Sequence, residues 1–195
     1  GYTGYLPEKH SMAKYAPKAR TQEGGTCVGF ATAYCAHSIM LNKAMSITHP
    51  VQKSVMAMDP YFLYSIGDAK NNNPCVEGSS FSKFFELFTS VGNARELIPP
   101  GYGCGFDWLD YAGKIKEDYL DFFAASLAFK IDNYGPIDIS DPNAVRDIKF
   151  FLAKDIPVVI GAGINNNFRS EISGGQIDIN GVWKYKRDDN SKEEG

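Results

Sequence analysis

A cysteine stands where a glycine-containing loop is predicted to become a helix. The segment 22–31 reads Gln-Glu-Gly-Gly-Thr-Cys-Val-Gly-Phe-Ala, so that Cys27 follows Gly24, Gly25 and Thr26. At a helix N-terminus, unpartnered backbone N–H groups and the positive end of the helix dipole favour the thiolate, which is the nucleophilic form of cysteine. Free cysteines more often pack as small hydrophobic residues. The position of Cys27 therefore indicates a nucleophile more strongly than its residue type does.

Gln22 stands five residues before Cys27 and carries a side-chain amide. An amide N–H in that region could stabilise the oxyanion that forms when a thiolate attacks a carbonyl group. The alternative is a surface glutamine without a chemical role. We take Cys27 and Gln22 as the candidate catalytic residues.

The element that must position Cys27 is a helix predicted over residues 28–45. No proline interrupts it, and apolar residues recur at the spacing of one buried face. These residues are Phe30, Ala33, Tyr34, His37, Met40, Leu41 and Met45. Cys35 lies about 12 Å from Cys27 along the helix axis, too far for a disulfide, and is predicted to be a core thiol.

Two further helices and a sheet are predicted downstream. Ser79 or Ser80 would cap a helix that ends at Gly92 and buries a face of Phe81, Phe84, Phe85 and Phe88. A helix opened by Ser140 to Pro142 would carry an apolar side of Val145, Ile148, Phe151 and Leu152. Pro157 would begin a buried strand to Ile164, and Asn180-Gly181 has the residue types of a two-residue hairpin turn.

Composition excludes several classes of function. A net charge of -3 with a pI near 5.6 offers no basic field for nucleic acid or anionic membrane. No apolar run reaches the ~20 residues of a membrane span. The sequence has no CxxC pair and no histidine cluster that would indicate a zinc site, and we expect neither metal nor cofactor. The chain starts without methionine, which suggests a mature or trimmed terminus, and we favour a secreted or periplasmic location.

Gly25 to Ala31 resembles the active-site segment of papain-like cysteine peptidases, in particular bacterial members with valine after the nucleophile. Other segments agree with that family in order and spacing, so that the resemblance covers nearly the whole chain. They are Leu6-Pro7, Tyr15 to Arg20, Asp59 to Tyr64, Glu77 to Ser80, Ile156 to Gly161 and Phe168 to Gly175.

The resemblance implies an α+β fold with two lobes that form one peptidase domain. Residues 1–110 would make the helical lobe, and residues 111–195 the first part of an antiparallel β-barrel lobe that is incomplete in this chain. Gly78 and Ser79 would bind substrate backbone, although Gly78 could equally be an ordinary loop glycine. Gly161 would shape the pocket for the substrate residue two before the cut, unless it marks a bulge.

Two features depart from the family pattern. The oxyanion glutamine usually stands six residues before the cysteine, where this chain has Thr21. Cys75 and Cys104 occupy disulfide positions whose usual partners are absent, so they could pair with each other or remain free.

The family's catalytic histidine and asparagine are not visible in this sequence. His37 would lie roughly 15 Å from Cys27 on the same helix, beyond the contact distance that a base needs. His10 and His49 match no family position and are expected to be structural or surface residues. We therefore expect a second chain of the same protein to carry the catalytic histidine and asparagine.

These observations predict a cysteine endopeptidase or exopeptidase that hydrolyses peptide or protein substrates through a thioester on Cys27. One alternative is a catalytically inactive relative that binds peptides or a partner in the same groove. Another is a structural fragment whose cysteine does not react.

Overall fold

The computed structural model describes residues 5–67, 78–95 and 124–162, and helices account for its regular structure. A 3-10 helix, Ala13–Tyr15, precedes a long helix made of three consecutive parts: α1 (Cys27–Gly29), a π-helical segment (Phe30–His37) and α2 (Ser38–Ala44). The later helices are α3 (Pro50–Val55), α4 (Phe62–Gly67), α5 (Phe81–Ser90) and α6 (Ala144–Ala153), and residues 124–127 are also helical.

The predicted fold class, α+β with a β-barrel lobe, is wrong for the part of the chain that the structure describes. No β-strand occurs in residues 5–67, 78–95 or 124–162, where the only sheet-like pairing is an isolated bridge between Met58 and Arg95. The buried strand expected from Pro157 is absent as far as residue 162, and Ile160 is 74% exposed. A strand requires a partner to satisfy its backbone groups, and these residues have no such partner in the described ranges.

The long helix begins at Cys27, as expected, but its middle part is π-helical. The Ser38 N–H donates to the carbonyl of Ala33, five residues earlier, which is the hydrogen bond of a π-helix. The buried positions of the long helix are Val28, Gly29, Thr32, Ala33, Tyr34, Ser38, Ile39 and Asn42. Ala33 and Tyr34 of the predicted face are buried, whereas Met40 and Met45, also predicted to be buried, are 43% and 47% exposed.

The core lies where the long helix meets α4 and α5. Tyr64 of α4 and Phe84 of α5 have ring centroids 5.1 Å apart, and Phe84 meets Phe88 at 5.7 Å. The core cluster comprises Val28, Ala33, Met58, Phe62, Leu63, Tyr64, Phe84, Phe88 and Ala94. The Ser80 hydroxyl accepts the Lys83 N–H and caps α5, which confirms one of the two predicted caps. Gly92 follows the helix at φ +74°, as a glycine after a C-cap commonly does.

Residues 10–20 form an N-terminal arm that runs antiparallel to the long helix. The carbonyl of Tyr15 accepts from the Asn42 side chain at 2.9 Å, and the carbonyl of Lys18 accepts from the Tyr34 hydroxyl at 2.7 Å. The Arg20 guanidinium then lies 5.4 Å from the Tyr34 ring centroid. Each step along the arm therefore approaches the start of the helix, and the arm ends at the loop before Cys27.

The beginning of the arm is fastened by a charged cluster. Asp155 accepts from His10 Nε2 at 2.7 Å and from Lys43 Nζ at 2.8 Å. These two contacts hold the pKa of the Asp155 carboxyl below its usual value, and the contact with Lys43 has the larger effect. Asp155 has a positive φ of 58°, a conformation that aspartate tolerates better than most residues.

Helix α6 starts at Ala144, later than its sequence signals suggested. Asp141 accepts the Asn143 N–H at 2.7 Å, so these residues form a turn before the helix. Val145, assigned to the apolar side, is 64% exposed.

The chain divides into two compact units, Gly1–Val159 and Ile160–Gly195. The predicted lobe boundary near residue 110 lies outside the described residues, as does the Asn180-Gly181 hairpin, and both stay predictions.

Candidate functional site

The loop before Cys27 is a tight turn held by its own polar groups. Gly24 has a φ of +59°, in the left-handed region that glycine enters without a steric cost. The Thr26 hydroxyl, fully buried, donates to the Glu23 carbonyl at 2.6 Å. Because this hydroxyl turns back into the loop, it does not cap the helix that begins at Cys27. Thr26, the residue before the helix, therefore provides no side-chain cap for its first N–H groups.

Cys27 is the first residue of α1, and its side chain is a free, exposed thiol. Val28 and Gly29, the next two residues, are buried. The first turn of the helix therefore packs Val28 and Gly29 against the core and exposes the Cys27 side chain to solvent. This placement agrees with the position predicted for Cys27, and it excludes the alternative in which the residue packs as a small core hydrophobe.

Gln22 and Gly78 both lie against the Cys27 turn. The Gln22 side-chain Nε2 donates to the Gly24 carbonyl at 3.2 Å, which places its amide beside the loop. A Cβ added to Gly78 would stand 3.2 Å from the Gly25 carbonyl oxygen, and Gly78 has a φ of +72°. Three of the predicted site residues are therefore brought together by the structure. Ser79 follows Gly78 and is half-buried, and its role stays a prediction.

Gly29 and Tyr64, which the sequence did not indicate as site residues, pack closely at this turn. A Cβ at Gly29 would lie 2.1 Å from the Pro60 carbonyl oxygen and 2.8 Å from Tyr64 Cε2, so only glycine fits. The Tyr64 hydroxyl lies 3.4 Å from both the Gly29 nitrogen and the Gly25 oxygen. The available signal was a glycine in the first turn of the predicted helix, two residues after the cysteine.

An aromatic cluster with one cation flanks the turn. The Phe30 ring meets Tyr34 at 5.7 Å and Tyr61 at 5.6 Å, and the Arg20 guanidinium lies 6.0 Å from its centroid. Burial raises the pKa of Tyr61, with Glu23 raising it further and Arg20 lowering it. Both phenols therefore stay neutral near pH 7, because burial also raises the pKa of Tyr34. The cluster beside Cys27 is therefore apolar, with Arg20 and Glu23 of opposite charge close to it.

The structure places the three histidines away from Cys27. His37 lies ten residues along the same helix, packed edge-on against Phe88 at 5.2 Å, and burial lowers its pKa to about 4. Its Nδ1 is buried without a hydrogen-bond partner among the described residues. His10 binds Asp155, and His49 precedes α3 as an exposed residue. None of the three forms a hydrogen bond with Cys27 in the part of the chain that the structure describes.

Cys35 differs from its predicted state. Its side chain is exposed and free, so the expectation of a core thiol is wrong. The neighbouring residues nevertheless withdraw enough water to raise the pKa of the Cys35 thiol. The chain therefore has two exposed thiols on one helix, one at its start and one in its middle.

The roles predicted for Gly161, Cys75 and Cys104 stay predictions. Gly161 belongs to the unit Ile160–Gly195 and is exposed, outside any strand. Cys75 and Cys104 lie outside the described residues. Over the described ranges, no three His, Cys, Asp or Glu side chains come close enough together to hold a metal ion. None of the helices in those ranges combines the length and apolar character needed to cross a membrane.

Comparison of the chain with protein-family models, with curated proteins and with solved structures found no match.

Proposed function

We propose that this protein is a cysteine peptidase that uses Cys27 as its nucleophile. The observation that carries the proposal is the exposed thiol of Cys27 on the first residue of a helix without a side-chain cap. The resemblance of Gly25 to Ala31 to the active-site segment of papain-like peptidases supports the same reaction. The resemblance also implies that Gly78, which lies against the turn, binds the backbone of an extended peptide substrate.

In this reaction, the Cys27 sulfur attacks the carbonyl carbon of a peptide bond. The Cys27 N–H and the Gln22 amide stabilise the negative charge that develops on the carbonyl oxygen. Gln22 Nε2 carries two hydrogens and one of them is bonded to Gly24, so the other is available to the oxyanion. The amine leaves with a proton, and a thioester joins the acyl group to Cys27. Water then hydrolyses the thioester and regenerates the thiol.

The proton must be moved by a base that touches the sulfur during the reaction. The three histidines of the chain are held elsewhere, by Asp155, by the core around Phe88 and at the start of α3. The resemblance implies a histidine as this base, and we propose that a second chain of the same protein supplies it.

The placement of the histidines also favours a second function, that of a peptide-binding protein without hydrolysis. The Cys27 turn and Gly78 would then form a groove for an extended segment, and the thiol would contact the ligand without attacking it. Such a protein would bind peptides equally well after Cys27→Ala, because only a small side chain is lost.

The test is hydrolysis of an unstructured protein substrate by the complete protein, purified with any associated polypeptide. Cys27→Ala should reduce the rate by at least about 10³-fold, because the acyl-enzyme can no longer form. Cys35→Ala is the matched control, since it removes the other exposed thiol of the same helix and should leave the rate unchanged. Equal hydrolysis by wild type and Cys27→Ala would disprove the peptidase proposal. Peptide binding with no turnover by either protein would favour the binding function.

A further inference from the structure

The two ends of the Cys27 turn meet at one side chain from a distant helix. Tyr64 lies on α4 and is 2% exposed. Its hydroxyl is 3.4 Å from the Gly25 oxygen, two residues before Cys27, and 3.4 Å from the Gly29 nitrogen, two residues after it. A phenol has one hydrogen to donate and lone pairs to accept, so it can donate to Gly25 and accept from Gly29 at the same time.

The backbone groups that Tyr64 contacts are ones that the helix itself leaves unsatisfied. The Gly29 N–H belongs to the first turn of the helix, where no intrahelical acceptor exists. The Gly25 carbonyl belongs to the loop, where Gly24 adopts a left-handed conformation. Both contacts lie at the long end of hydrogen-bond distances, so each is weak alone. Together they fix the loop relative to the helix on both sides of the sulfur.

The ring of Tyr64 has little room to move away from this position. It packs against Phe84 at 5.1 Å on one side. On the other side, Cε2 would be 2.8 Å from a Cβ at residue 29, so the ring occupies space that is open only because Gly29 lacks a side chain. The hydroxyl is therefore aimed by the packing of the ring, and its position does not depend on the two hydrogen bonds.

We propose that Tyr64 is a positioning residue for Cys27: its hydroxyl fixes the turn that aims the sulfur and the Cys27 N–H. In its catalytic consequence this inference rests on the proposed peptidase function, because a fixed turn lowers the cost of bringing the nucleophile and oxyanion donor into line. The reactivity of the thiol toward a small alkylating agent is affected whether or not the protein hydrolyses peptides.

The experiment compares Tyr64→Phe with Tyr34→Phe in the complete protein. Both substitutions remove only a hydroxyl from a buried tyrosine, and the Tyr34 hydroxyl donates to the Lys18 carbonyl rather than to residues 25–29. Iodoacetamide labelling, followed peptide by peptide in a mass spectrometer from pH 5 to pH 9, gives separate rates for Cys27 and Cys35. In Tyr64→Phe we expect alkylation of Cys27 to slow about three- to tenfold with an altered pH profile, the scale of one lost hydrogen bond. Cys35 should keep its rate, and Tyr34→Phe should change neither.

Unchanged labelling of Cys27 in Tyr64→Phe would overturn the inference, as would an equal change in Tyr34→Phe. Hydrogen exchange in the wild-type protein provides a test that needs no variant: the Gly29 amide should exchange more slowly than the Cys27 amide, and equal rates would count against the contact. If hydrolysis survives Cys27→Ala while Tyr64→Phe still slows labelling of Cys27, the peptidase proposal fails and the positioning role stands. If Cys27→Ala abolishes hydrolysis while labelling is unaffected by Tyr64→Phe, the reverse holds.

Discussion

The start of the long helix and its π-helical middle each carry a side chain that can act in catalysis, in opposite surroundings. At the start, Cys27 is exposed, and its turn is packed closely where Gly29 meets Tyr64. In the middle, His37 is buried against Phe88, and its pKa falls to about 4. Residue type alone would make either a candidate for acid, base or nucleophile chemistry. The comparison teaches that exposure and backbone setting decide which of them can react.

Gly29→Ala should have the largest effect on this comparison, because it disturbs the packing of the turn against Pro60 and Tyr64. The added Cβ would stand 2.1 Å from the Pro60 carbonyl oxygen, a backbone atom that cannot move without shifting the chain before α4. We expect the free energy of unfolding to fall by about 3 kcal/mol, despite the better helix propensity of alanine. Denaturant titration measures this. Gly135→Ala is the control, since a Cβ there meets no atom within 4 Å and should cost little. Equal stability of the two variants would show that Gly29 is not tightly packed against Pro60 and Tyr64.

Gln22→Ala tests the loop side of the same turn through its chemistry. Loss of one oxyanion donor should lower kcat by about 10²-fold in the complete protein, with a smaller change in KM. Thr21→Ala is the control, because Thr21 occupies the place that the resemblance reserves for the glutamine. If Thr21→Ala slows turnover and Gln22→Ala does not, the assignment of the oxyanion donor is reversed.

His37→Leu tests the buried side through pH. Between the ordinary histidine pKa of 6.5 and the lowered value of about 4, the unfolded chain binds a proton that the folded chain does not. The folded state therefore loses stability as the pH decreases through this window, by about 2 kcal/mol between pH 8 and pH 5. Unfolding measured at both pH values should show this difference shrinking in His37→Leu. His49→Leu, at an exposed position, should keep the wild-type difference. An unchanged pH difference in His37→Leu would mean that His37 titrates as it does in water.

The sequence predicted the ends of two helices better than it predicted the fold class. A cysteine after two glycines and before an apolar periodic run requires only local information, and the helix does begin at Cys27. The cap and end of α5 were also readable, because Ser80 and Gly92 act on their own neighbours. Signals within one turn of chain are strong enough to be read without the rest of the molecule.

The features that the sequence concealed depend on distant residues or on a change of helical period. The π-helical segment adds one residue to a helical turn, and the pattern of apolar residues does not show that addition. The polar residues Ser38 and Asn42 are buried without having been predicted so, whereas Leu41 packs against the core as predicted. The hydroxyl of Ser38 is satisfied by Met58 and Ala33, contacts that only the folded chain reveals. The Tyr64 contact with Gly29 joins positions 35 residues apart. The barrel was inferred by resemblance, and the described residues do not contain it.

The direction of the N-terminal arm determines how a pulling force would act on the molecule. His10 is fastened near the C-terminal end of the long helix, Tyr15 follows at Asn42 and Lys18 at Tyr34. A force that lifts the N-terminus away from the helix would therefore load these contacts one after another. The contact at His10 would break first and the loop with Gln22 would feel the force last. A tag or fused domain at the N-terminus would strain the far end of the helix before it disturbed the thiol.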